Sequence, residues 1–245
     1  DSVLKMSYFH IMENELGSAV SILKEAAKKW PGNAEIAYYL ALGLMDEQNR
    51  ENDKEIKSLF EMVVSTNPNN YEARYNLAIV CERLNEVECF EKNFRELLKR
   101  NPNDHSVLNY LGYSLIDRGL KLDEAVPMVE KAVSLDSENP AYLDSLAWGY
   151  YKKGDYEKAI SYMEKSISLI SKYNKENDPL IYEHYGDILL KTGNYQKAYE
   201  NYKISVLNGG TKEVRAKSMS IISNLAPHYL ISQTPFLIPE FKTNY

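Results

Sequence analysis

The chain has 245 residues and a formal net charge of −6, with 44% hydrophobic and 26% charged residues. Such a composition supplies enough apolar material for a core and excludes disorder of the whole chain. An acidic balance with no block of Lys or Arg argues against nucleic acid as a partner, since that affinity comes from cations neutralising phosphates.

No apolar run approaches the roughly 18–20 residues that a membrane-spanning helix needs. No secretory signal opens the sequence, and residue 1 already falls within a predicted helix, so further sequence is expected upstream. That first unit carries Val3, Met6, Ser7 and His10, then Ala19, Leu23, Ala26 and Pro31. Ala37, Leu40-Ala41 and Leu44 follow, leading to Phe60 and Pro68. Next come Leu77-Ala78 and Cys81, leading to Phe90, Phe94 and Pro102. Cys81 and Cys89 are too few for a disulfide framework, and both are expected as free thiols. A fourth unit has Leu108, Leu111-Gly112, Leu115, Gly119, Ala125 and Ala132.

The clearest unit begins at Pro140. Leu143, Leu146, Ala147 and Tyr150 mark one buried helix face, and Gly154-Asp155 breaks the helix. A second helix from about Tyr156 puts Ala159, Met163 and Ser166 inside. The last unit repeats the pattern with Tyr182, Tyr185-Gly186, Leu189, Gly193, Ala198 and Tyr202. Starting points at Ala34, Tyr71, His105, Pro140 and Pro179 recur every 34 to 39 residues. Asn139-Pro140 and Asp178-Pro179 each place a capping side chain before a proline at the first helical position. Polar residues 49–53 and 172–177 absorb the excess length. Beyond Gly209-Gly210, Thr211 can cap a helix to about Leu225, with Val214, Ile221 and Leu225 on its apolar side. Pro227, Pro235 and Pro239 forbid a continuous helix from Ala226 to Tyr245.

These units resemble the tetratricopeptide repeat, whose aromatic or large residue, Leu-Gly, Tyr, Ala, Phe and Pro stand at fixed offsets. The resemblance implies an all-α fold: a right-handed superhelical solenoid of antiparallel helix pairs with a C-terminal capping helix. Residues 1–209 read as six repeats, 210–225 as the capping helix and 226–245 as an extended apolar tail. Tyr229, Leu230, Ile231, Phe236, Leu237, Ile238 and Phe241 make that tail too apolar for a solvated end; it packs on the cap or pairs with another chain.

Catalytic and metal chemistry is not expected, and no cofactor is. His10, His105, His184 and His228 are scattered, without metal-ligand spacing. His184, with Glu183 and Asp187 on its helix, reads as part of a solvated face. Glycine-rich phosphate loops and nucleophile elbows are absent. Function is instead expected on the concave side, which the first helices line. Its predicted residues are Tyr8, Tyr38, Leu42, Tyr75, Ile79, Tyr113, Ile116, Asp144, Trp148, Tyr151, Glu183 and Asp187. Tyrosine and tryptophan concentrate binding energy, so this groove is expected to hold an extended or helical protein segment, with the segment's basic groups toward Asp144, Glu183 and Asp187. Tyr113 and Trp148 are read as lying outside the core columns. The alternative is that several tyrosines simply fill space between helices.

Asn76 and Asn109 stand near the concave columns, but no cation joins them, so a chaperone-tail carboxylate clamp is not expected. Leu108-Asn109-Tyr110-Leu111-Gly112-Tyr113, Asp123-Glu124-Ala125, residues 142–148 and His184-Tyr185-Gly186-Asp187 resemble repeat proteins of the bacterial envelope. Many of these are lipid-anchored at the outer membrane, and some dock substrates and a processing protease. The resemblance implies a periplasmic or outer-membrane scaffold or adaptor. The competing expectation is a regulatory or substrate-recruiting arm of an enzyme whose catalytic domain lies outside these residues.

Overall fold

The computed structural model describes residues 3, 6, 7, 15–45, 50–173 and 178–229, with the side chains of 223–229 excepted. Among the described residues there are only α-helices and no strand. They are α1 (Leu16–Lys29), α2 (Ala34–Leu44), α3 (Asp53–Thr66), α4 (Tyr71–Arg83), α5 (Val87–Arg100) and α6 (His105–Asp117). There follow α7 (Leu122–Leu135), α8 (Pro140–Lys153), α9 (Tyr156–Lys172), α10 (Pro179–Lys191), α11 (Tyr195–Leu207) and α12 (Lys212–Tyr229). No helix among them is long and apolar enough to cross a membrane. The chain is an all-α solenoid of helix pairs, and it divides into two compact units, 1–114 and 115–245.

The five sequence-derived starting points are the first residues of α2, α4, α6, α8 and α10. Local chemistry fixes them. Asn33 accepts from the backbone N–H of Glu35 and Ile36, and Asn70 from that of Ala73. Asn139 accepts from Ala141 N–H and Asp178 from Leu180 N–H, each ahead of a proline that has no donor to satisfy. Gly154 ends α8 in the left-handed region at φ 83°, where a side chain would be strained.

In the first unit α2 pairs with α3 and α4 with α5, and their facing sides bury Leu40, Phe60, Leu77, Phe90 and Phe94. In the second unit α8 pairs with α9 and α10 with α11 around Ala147, Ala159, Met163, Tyr185, Ile188 and Tyr202. Small residues set the helix separation. A Cβ on Gly186 would stand 2.3 Å from the Tyr202 ring, and one on Gly149 would stand 2.9 Å from Val126. The capping helix α12 packs on α11 and buries Val214 and Ile221. It runs through Pro227 to Tyr229 instead of ending at Leu225, because a proline costs a helix one hydrogen bond without always terminating it. The expected apolar tail beyond Tyr229 lies outside the described residues.

One expectation is corrected. Cys81 and Cys89 form a disulfide across the turn between α4 and α5, with their Cα atoms 5.7 Å apart. Counting cysteines misses such a bridge, because a helix–turn–helix brings residues only eight apart face to face.

Reducing this bridge is expected to lower stability by about 2–3 kcal/mol, the range for closing a short loop in the unfolded chain. Denaturation with and without dithiothreitol measures it, and an intact mass lacking the two thiol hydrogens confirms the starting state. Ala147 is fully buried between α8 and its neighbours. Ala147→Leu is therefore expected to cost roughly 1–3 kcal/mol by overpacking. Lys153→Ala, which removes only an ion pair to exposed Asp123, should stay within about 0.5 kcal/mol. Equal thermal shifts in the two variants would contradict the packing described.

Candidate protein-binding face

In the first unit the predicted face rests on α2, α4 and the first part of α6. Leu42 is exposed, and Tyr38, Tyr75, Ile79 and Tyr113 are half-buried. The tyrosines are propped from behind. The Tyr38 ring meets Phe60 edge to face at 6.3 Å, and the Tyr75 ring meets Phe94 in the same way at 5.6 Å. Tyr71 stacks on Tyr75 at 6.0 Å and donates its hydroxyl to Asp104 at 2.8 Å. Burial first, and then that carboxylate, push the Tyr71 hydroxyl pKa up. Lateral polar ties also join successive first helices: Tyr110 and Ser114 on α6 both donate to the Glu82 carboxylate of α4, at 2.9 and 3.0 Å. Tyr8 lies outside the described residues.

The second unit uses its share of the predicted residues differently. Ile116 is fully buried, with its side chain in the space that Gly149 leaves open, and cannot meet a partner. Asp144 is buried as well, because His184 brings Nδ1 within 2.9 and 3.1 Å of its two carboxylate oxygens. His184 is thus no member of a solvated face. It is 3% exposed and stacks on Trp148 with ring centroids 4.1 Å apart. Trp148, expected outside the core, is 7% exposed. It stacks on Tyr151 at 4.7 Å and donates Nε1–H to Asp117 at 3.1 Å. Glu183 and Asp187 are half-buried and share one cation: Lys217 of α12 sends Nζ to Glu183 at 3.0 Å and to Asp187 at 2.8 Å. Asp187 also accepts from the buried Tyr202 hydroxyl at 2.6 Å.

The structure therefore brings the predicted residues together as two kinds of surface. Tyr38, Leu42, Tyr75, Ile79 and Tyr113 keep apolar surface available to solvent. Asp144, Trp148, Glu183 and Asp187 spend their polar groups on ties within the second unit. His184 and Lys217 are the residues the sequence reading missed. The partner of each lies 30 to 40 residues away on a neighbouring helix, where the pattern of its own helix gives no sign of it.

A tetratricopeptide repeat family model matches residues 32–207. The chain belongs to the tetratricopeptide repeat family. Over 53% of its length it is 27% identical to a TPR repeat-containing protein of Pseudomonas aeruginosa, and it spans only 22% of that relative. A solved tetratricopeptide repeat protein of Parabacteroides merdae shares the fold at a TM-score of 0.63 and 19% identity, over 91% of this chain and 98% of that one. YrrB, described as a TPR protein with an unusual peptide-binding site, superposes at a TM-score of 0.58 and 22% identity. That match covers 68% of this chain and 84% of YrrB.

Burial alone would lower the His184 pKa, but the charge and hydrogen bond of Asp144, with Asp117 and Asp187 beyond, raise it above its ordinary value. A raised histidine contributes stability that is complete below its unfolded value of about 6.5 and is lost as pH climbs through the folded value. The melting temperature of these repeats is accordingly expected to fall as pH rises from about 6.5 toward 9. His184→Gln, which cannot take up the proton, should flatten that slope. Identical slopes in the two proteins would assign the titration to another group.

Proposed function

We propose that this chain is a non-catalytic protein-binding scaffold that holds a segment of a partner against the face lined by the first helices. The observation that carries the reading is the row of partly exposed apolar side chains on successive first helices, Tyr38 and Leu42 followed by Tyr75 and Ile79. Aromatic rings backed by core phenylalanines are held in place before any partner arrives, so little side-chain entropy is lost on binding. Solvent-exposed apolar surface on a repeat fold is more often a recognition surface than an accident of composition. Membership of a family that serves as interaction scaffolds supports the reading, as does the peptide-binding site described for YrrB.

A place in a bacterial envelope assembly, of the protease-adaptor kind, is the finer proposal. Its support is the resemblance of residues 108–113, 142–148 and 184–187 to envelope repeat proteins. Fractionation of cells making the full-length protein tests it, and recovery with cytoplasmic proteins would overturn it.

Binding itself is tested by isolating a partner with the folded chain and then measuring its affinity for Leu42→Ala combined with Tyr113→Ala. The expected loss is at least ~2 kcal/mol, the usual threshold for a hot-spot residue. Unchanged affinity in a variant that still folds would move the partner to another surface.

A further inference from the structure

The first helices of the first unit carry one short pattern twice: Glu35, Tyr38 and Leu42 on α2, then Glu72, Tyr75 and Ile79 on α4. Steps of three and four residues put each acid, aromatic ring and aliphatic side chain along one helix face. Glu35 and Glu72 are exposed, and neither carboxylate has an ion pair or hydrogen bond among the described residues. The two sets stand on successive first helices of the same unit.

The cations of these helices do not compensate the acids. α2 has none. On α4, Arg74 donates to Asn93 and to the Pro68 carbonyl, while Arg83 is paired with the buried Asp53 at 2.8 Å. The acids of the second unit, where a basic ligand was first expected, are in the opposite condition: Lys217 occupies Glu183 and Asp187, and His184 occupies Asp144. Unsatisfied negative charge beside available aromatic surface is thus found in the first unit.

We infer that this face takes a basic, apolar segment of a partner protein, in which Lys or Arg alternates with aliphatic residues. The inference rests on the reading above that a protein segment binds the first helices. The partner's cations meet Glu35 and Glu72 and lie over the Tyr38 and Tyr75 rings, where the negative π-face attracts them. Its aliphatic side chains cover Leu42 and Ile79. Carboxylates at the rim of such a surface act mainly through charge steering and selectivity, so binding weakens as salt rises.

The probe is a labelled peptide alternating lysine and leucine, with serine–leucine and glutamate–leucine peptides of equal length as controls, read by fluorescence anisotropy. The lysine–leucine peptide is expected to bind most tightly and to weaken with salt. Glu35→Gln with Glu72→Gln should reduce its affinity about tenfold. Glu35→Lys with Glu72→Lys should shift the preference to the glutamate–leucine peptide. Glu35 and Glu72 are both exposed, so the Gln variants should keep a melting temperature close to that of the wild type. If the serine–leucine peptide binds equally well and the Gln variant changes nothing, the charge inference is overturned. Loss of that same binding in Leu42→Ala with Tyr113→Ala would then leave the binding face standing. Failure of the lysine–leucine peptide to bind the wild-type chain overturns the inference as well.

Discussion

Neighbouring helices in this chain approach closely where one of them carries a glycine or an alanine. Gly186 admits the Tyr202 ring, Gly149 admits Val126, and Gly43 admits Val20, each leaving no room for a Cβ without movement of its neighbour. Ala147 and Ala159 do the same with a single methyl group, both fully buried. Close approach allows large residues on the opposite helix, such as Phe60, Phe94 and Tyr202, to be buried completely. The stabilisation is therefore stored between helices, and a single pair would leave half of its apolar surface wet. Stacking pair on pair is the consequence, because only a neighbour can cover the second side.

Once the helices are stacked, residues roughly one repeat apart become lateral neighbours, and the polar ties of the structure follow that rule. Arg83 reaches Asp53, Trp148 reaches Asp117, His184 reaches Asp144, and Lys217 reaches Glu183 and Asp187. Asp53, Asp144 and His184 are nearly inaccessible, so each would carry a large desolvation cost without its partner. These ties add less to net stability than to register: a one-turn slip of a helix against its neighbour would strand a buried charge. Apolar packing alone, which tolerates substitutions of similar volume, does not impose such a penalty.

The apolar framework was legible because it is periodic. Pro140 and Pro179 with their preceding caps, the Leu-Gly and Leu-Ala pairs, and the small residues at Ala147 and Ala159 all recur along one dimension, and the helices begin where these signals put them. The lateral ties were not legible, since they need the distance between columns as well as the period. His184 and Asp144 are 40 residues apart, outside the 34 to 39 spacing of the repeat starts, so period arithmetic does not pair them. Trp148 looked like a groove residue because it sits at the same helical position as Leu42 and Ile79. What buries it is the imidazole stacked on its face, which no pattern in its own helix announces.

The same column of positions consequently does two jobs. At Tyr38 and Tyr75 the side chain leans back on a phenylalanine of its own helix pair, which leaves its outer surface to solvent. At Asp144 the side chain reaches sideways to the next first helix and is removed from solvent, and at Glu183 it reaches the capping helix α12 and is half-buried. A group that is satisfied laterally can bind a partner only by breaking that tie, whereas a group supported from behind binds at no such cost. Partner recognition and lateral register thus compete for the same positions, and the chemistry at each position decides which wins. Aromatic residues with a core phenylalanine beneath them favour recognition, and ionisable residues with an opposite charge one repeat away favour register.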